Sequence, residues 1–219
     1  MEQPQRRIFR GSGNHQSLAA CLRRLVMLLA LPAVIGCTGT RVIPPTQVAD
    51  PDTVWLVQYD GYHASLVFDD GDQLVEYAYG DWQYYALSDH GFLGSGGLTA
   101  LLVPTQGTLG RRLLTRALSD EGDLCRIMMS DDPCRRILAL RVEKARLDAL
   151  KRKLDIAWAG SLATEVVNRG AGLNFVKYDR HYTLWHNCNH ELADWLDALD
   201  VRVEGTVWLA DFDRARAVD

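Results

Sequence analysis

The chain is 219 residues long, 47% hydrophobic and 24% charged. That length holds one domain once any leader is set aside, and the composition excludes disordered and fibrous classes. Its 24 basic and 28 acidic residues give a formal net charge of −4, which argues against a nucleic-acid partner, since such proteins carry a basic face.

The first 36 residues stand apart. They hold Arg6, Arg7, Arg10, Arg23 and Arg24 with Glu2 as their only acid, and Leu25 to Gly36 is uncharged and apolar. A span of that length is too short for a bilayer, which needs roughly 20 residues, and fits the h-region of a signal peptide behind a positive n-region. Arg6-Arg7-Ile8-Phe9 also resembles part of a twin-arginine export signal. The segment ends Val34-Ile35-Gly36-Cys37, which resembles the lipobox of bacterial lipoproteins, and the alternative is an ordinary signal peptide with a chance cysteine. The resemblance implies cleavage after residue 36, acylation of Cys37 and a membrane anchor made by the acyl chains. Thr38 in place of Asp after Cys37 points to the outer rather than the inner membrane. Removing residues 1–36 takes away five basic residues and one acid, leaving 19 and 27 and a net charge of −8.

Residues 37–52, with Pro44-Pro45 and Pro51, read as a tether, and 53–219 as one domain. Thr53–Tyr59, Tyr62–Phe68 and Gln73–Tyr79 read as strands, with Asp70-Gly71 as the hairpin turn between the last two. Gly80–Gly97, carrying Trp82, Tyr84, Tyr85 and Phe92, reads as a surface loop suited to binding a glycan or a protein. Strands are expected at Leu98–Val103, Leu124–Met129 and Arg136–Val142. Glu143–Gly160 reads as a helix, with Leu147, Leu150, Leu154 and Ala157 at helical spacing and Lys151-Arg152-Lys153 on a solvated face. A strand within Leu173–Thr183 and a helix over Asn187–Leu199 complete an α+β domain: a small antiparallel sheet with packed helices.

Of five cysteines, Cys21 leaves with the leader and Cys37 takes the lipid. Cys125 and Cys134 flank a turn and suit a disulfide in an oxidising compartment. Cys188 lies in Trp185-His186-Asn187-Cys188-Asn189-His190-Glu191. Asn187 is a good N-cap, so Cys188 falls in the first turn of the last helix, on the stripe of Leu192, Trp195, Leu196 and Leu199. A helix N-terminus favours a thiolate, which prepares a cysteine nucleophile. A hairpin turning on Asp70-Gly71 pairs His63 with Ala78 and Ser65 with Glu76. His63 and Glu76 then share one face as a base and the carboxylate that orients it.

His63 in an early hairpin strand, a polar Glu76 on the next strand and a late Asn-Cys-x-His at a helix start resemble the permuted NlpC-type papain-like hydrolases, the lecithin retinol acyltransferase branch among them. The chain is also similar to uncharacterised bacterial proteins with an Asn-Cys-Asn motif. The resemblance spans residues 53–200. It implies Cys188 as nucleophile, His63 as base and Glu76 as orienter, with an amide, ester or thioester carbonyl in peptidoglycan, lipid or protein as substrate. Glu76 departs from that branch, which has a second His there, and His90 is a spare candidate for the role. Two alternatives stay open. One is a non-enzymatic lipoprotein binding through the aromatic loop. The other is a metal site, because His186, Cys188 and His190 alternate near His181. On a helix start those three splay, so neither metal nor cofactor is expected.

Overall fold

The computed structural model describes residues 39–59, 63–88, 103–115 and 136–215. The leader, Cys21, Cys37, Cys125, Cys134, His90, Phe92 and the expected strand at Leu124–Met129 lie outside the described residues.

The domain is α+β. Among the described residues, its main sheet has seven antiparallel strands in the order β6-β2-β3-β4-β5-β8-β7: β2 Pro51–Gln58, β3 Ala64–Asp69, β4 Gln73–Asp81, β5 Thr105–Thr115, β6 Arg136–Glu143, β7 Val166–Asn168 and β8 Leu173–Tyr182. Of these same residues, the helices α1 Lys144–Gly160 and α2 Cys188–Ala198 pack on one face. α1 buries Leu147, Leu150, Leu154 and Trp158, with the expected Ala157 half-buried against the same core. α2 buries Leu192, Trp195 and Leu196 against the Leu66, Phe68, Val75, Tyr77 and Tyr79 side of β3 and β4. The opposite face carries two smaller clusters, one around Val57, Tyr59, Val67 and Leu74 and one around Ala78, Trp82 and Phe175.

The domain begins earlier than the tether reading of residues 37–52 placed it. β1, Thr40–Ile43, is the middle strand of a second sheet between β9, Arg202–Glu204, and β10, Phe212–Arg214. Thr40 and Val42 are buried. Farther on, the N–H groups of Ala49 and Asp50 donate to the Glu143 carboxylate at 3.0 and 3.2 Å, so this stretch is fixed at both ends.

The β3–β4 hairpin forms, but its register is two residues from the expected one. Asp70 N–H donates to Gln73 O at 2.9 Å, so the loop is Gly71-Asp72, opened by Gly71 at a φ of 78°. Val67, not Ser65, therefore faces Glu76. A shift of two keeps every side chain on its face, and Ser65 still reaches Glu76 on the diagonal, Oγ to Oε1 at 2.7 Å. Lys151 is not on a solvated face. It pairs with Asp155 at 2.9 Å and with Asp70 at 2.8 Å, and Tyr77 donates to the same Asp155. This latches the hairpin tip to α1.

β5 contains Gly107 where the ladder to β8 slips: Gln106 faces His181 while Gly107 faces Tyr178. The two extra residues, Asp179 and Arg180, form a bulge, a device that re-aims a side chain. A Cβ on Gly107 would stand 2.1 Å from the Arg180 carbonyl oxygen and 2.7 Å from the Tyr79 hydroxyl. Gly107→Ala is expected to destabilise the domain by about 1–3 kcal/mol, the usual overpacking cost, measured by urea denaturation.

Candidate functional site

Asn187 sits in an extended conformation, with φ −96° and ψ −172°. Its Oδ1 accepts the N–H of Asn189 at 3.0 Å and of His190 at 3.2 Å. These bonds satisfy donors that a helix start leaves without intrahelical partners. Cys188 is the first residue of α2, only 5% exposed, with its sulfur turned toward the sheet as expected. The Tyr182 hydroxyl, at the end of β8, hydrogen-bonds that sulfur, and burial with the neighbouring Cys188 pushes the Tyr182 hydroxyl well above the usual phenol range. Tyr182 stacks on Tyr79 at 5.9 Å, and Tyr79 meets the His186 ring edge-on, also at 5.9 Å. Cys188 and His186 thus border the same tyrosine pair.

His186 is held by its other side. Its Nε2 lies 2.8 Å from Glu191 Oε2. Glu191 is fully buried and also accepts from Trp195 Nε1 at 2.9 Å and from Arg180 at 2.9 Å. Arg180, delivered by the β8 bulge, reaches Asp194 as well, at 2.8 Å. His190 Nδ1 lies 2.8 Å from Asn187 Oδ1. Burial, and then the neighbouring His186, hold the His190 imidazole below the ordinary histidine range, which keeps it neutral at pH 7.

The expected Cys188–His63–Glu76 triad is not brought together. Cys188 packs with α2 against Tyr77 and Tyr79. His63 stacks on Tyr59 at 5.9 Å and meets the Tyr85 ring at a tilt, 5.2 Å away, across the sheet. Glu76 shares that far side. It accepts from Tyr59 and Ser65 and from Arg112 Nε at 2.7 Å. The physical reason is that β3 and β4 are buried on both faces, so α2 had two sides to choose from. Tyr182, Tyr79, Arg180 and Glu191 escaped the sequence reading. The available signal was Glu191, five residues after His186 and on the inward stripe of an otherwise apolar helix face.

The aromatic-loop candidates divide. Asp81 caps a single π-turn, Trp82–Ala86, by accepting the Tyr84 N–H at 2.8 Å. Trp82 is buried with Ala78 and Phe175, Tyr85 packs over Gly80, and Tyr84 stands exposed. Among the described residues, His186, Glu191 and Asp194 place their ligand atoms within 4.8 Å of one another. Arg180 already bonds both carboxylates there, so this donor set fits a guanidinium rather than a metal ion. Also among the described residues, no helix is long and apolar enough to cross a membrane. Compared with known proteins, the chain matches no family model, no curated protein and no solved structure.

Proposed function

We propose that this is a cell-envelope lipoprotein with cysteine hydrolase or acyltransferase activity on an amide or ester carbonyl, in a permuted papain-like arrangement. Cys188 is its nucleophile. The observation that carries the reading is the position of that thiol: first residue of a capped helix, laid on an antiparallel sheet, with the Tyr182 hydroxyl on its sulfur. The helix N-terminus and the hydroxyl both favour the thiolate.

The base on the same side of the sheet is His186, which takes the place that the resemblance gives to His63. With Nε2–H donated to Glu191, Nδ1 keeps the lone pair that accepts the thiol proton. The Cys188 thiolate adds to the carbonyl carbon, and the oxyanion draws on the Cys188 backbone N–H at the helix start. The tetrahedral intermediate collapses as His186 returns the proton to the departing amine or alcohol. Water, or an acceptor hydroxyl, then releases the acyl group from sulfur.

The test is alkylation by iodoacetamide at pH 6, with the adduct mapped to Cys188 by peptide mass spectrometry. A thiol of ordinary pKa is only about 0.3% ionised there, so a thiolate favoured by the helix start is expected to react at least about tenfold faster than a model thiol. A Cys188 rate no higher than that of the model thiol would sink the proposal.

A further inference from the structure

The surface beside α2 carries an aromatic patch that the proposed reaction does not use. Trp185 is 76% exposed, Trp208 39% and Leu209 49%. Trp185 is fixed at the tip of a tight turn, with Thr183 and His186 exchanging backbone bonds of 3.0 and 3.2 Å. Its ring meets Trp208 edge-on at 5.6 Å and 71°. The patch is built, since Asn189 Nδ2 donates to the Trp208 carbonyl at 3.3 Å and the His190 ring lies 5.7 Å from the Trp208 ring. Large apolar side chains held rigidly in water mark a contact surface.

The start of β1 says what covers it. The stretch that presents Trp208 and Leu209 is tied at both ends to the first described residues. The Thr40 hydroxyl donates to Thr206 O, and the Thr40 N–H donates to Asp211 O at 3.1 Å. Gly205, at a φ of 102°, lies so close that a Cβ there would stand 2.8 Å from Gly39 O. Cys37 is two residues before Gly39, a leash of at most about 7 Å. A lipid on Cys37 leaves this corner of the domain no room to stand away from the bilayer. Indoles favour the membrane interface, where one edge of the ring is apolar and the other is wet.

We propose that Trp185, Trp208 and Leu209 form a docking surface for the phospholipid interface, which holds the N-terminal end of α2, and with it Cys188, at headgroup level. This rests on the reading of Cys37 as the lipidated residue. It narrows the substrate class to acyl esters or amides carried by the membrane itself. The nearby charges are mixed, Arg41, Arg202 and Arg214 beside Glu204 and Asp213, and the mature chain is net acidic. Docking is therefore driven by indole insertion rather than by attraction to anionic lipid, and zwitterionic vesicles suffice.

The test expresses the full-length gene product, places the exported protein in phosphatidylcholine vesicles brominated near the top of the acyl chains, and reads tryptophan quenching beside the mass of the Cys37 peptide. The expected result is a diacylglyceryl mass on Cys37, with quenching that is reduced in Trp185→Phe and in Trp208→Phe and lost in the double variant at unchanged far-UV circular dichroism. A lipidated Cys37 with no quenching, or with quenching indifferent to these variants, overturns the docking surface and leaves the lipoprotein reading standing. An unmodified Cys37 overturns both. An emission shift with a soluble chito-oligosaccharide, and none with brominated lipid, assigns the patch to a glycan and overturns the proposal.

Discussion

Replacing Glu76 with alanine is expected to cost about 3–5 kcal/mol of stability, the range seen when one partner of a buried ion pair is removed. Glu76 is fully buried and is the acceptor for three donors: the Tyr59 hydroxyl, the Ser65 hydroxyl and Arg112. Arg112 bonds it twice, Nε at 2.7 Å and the terminal nitrogen at 2.6 Å. Burial alone would pull the Arg112 guanidinium down, yet Glu76 and then Tyr59 hold it above its ordinary value. Burial and the neighbouring Glu76 likewise push the Tyr59 hydroxyl up, keeping it a donor. Without Glu76 the guanidinium is left with 13% of its side chain in water and no opposing charge, and two hydroxyls lose their acceptor, each such loss costing roughly 1–3 kcal/mol where water cannot substitute. For a domain of this size, 3–5 kcal/mol lowers Tm by roughly 6–20 °C, read by circular dichroism. Replacing both partners, Glu76→Met with Arg112→Leu, is expected to recover the part of the loss that comes from the stranded guanidinium, while the Tyr59 and Ser65 hydroxyls still lack their acceptor. The alkylation rate of Cys188 in folded Glu76→Ala should stay within about a factor of three of the parent, since Glu76 lies across the sheet from the thiol. A large fall in that rate at unchanged Tm would return Glu76 to the reaction centre.

What the sequence made legible was local. The apolar spacing of Leu147, Leu150 and Leu154 marks α1. Asn187 before an apolar stripe marks the start of α2, and with it the position of Cys188. The turn glycine announces the β3–β4 hairpin. What it concealed depends on residues far along the chain. β5 was missed because Gly107 and Gly110 look like strand breakers. They are needed because Arg180 and Tyr79 crowd the first and Phe175 crowds the second. β1 is four residues long and followed by two prolines, and its partners β9 and β10 lie more than 150 residues downstream. The site partners were misassigned for a related reason. Along β3 and β4 nearly every residue is buried, so the polar–apolar alternation that tells one face of a sheet from the other is absent. Without it, the side on which α2 lies is not readable.

In the proposed reaction that side decides the base, and the decision has a large measurable consequence. With p-nitrophenyl acetate as a generic acyl donor, His186→Ala is expected to lower turnover by about 10²–10⁴, the usual worth of a positioned general base. His63→Ala should leave turnover within about a factor of three. Cys188→Ser fixes the zero. The imidazole of His186 depends on Glu191, which binds Nε2 at 2.8 Å and so sets which nitrogen carries the hydrogen. Glu191→Gln keeps the shape but replaces one oxygen with a donor that opposes Nε2–H. It is expected to lower turnover in the same direction while leaving far-UV circular dichroism unchanged. It also releases Arg180, bound to Glu191 at 2.9 Å and Asp194 at 2.8 Å, so the double variant Glu191→Gln, Arg180→Ala separates the loss of orientation from the stranded guanidinium. If His63→Ala silences turnover while His186→Ala does not, the base is His63 and the assignment to His186 falls. If neither substitution matters but Cys188→Ser does, the tyrosine pair and the helix N-terminus alone activate the thiol, and turnover should then rise with pH along a single ionisation, that of Cys188.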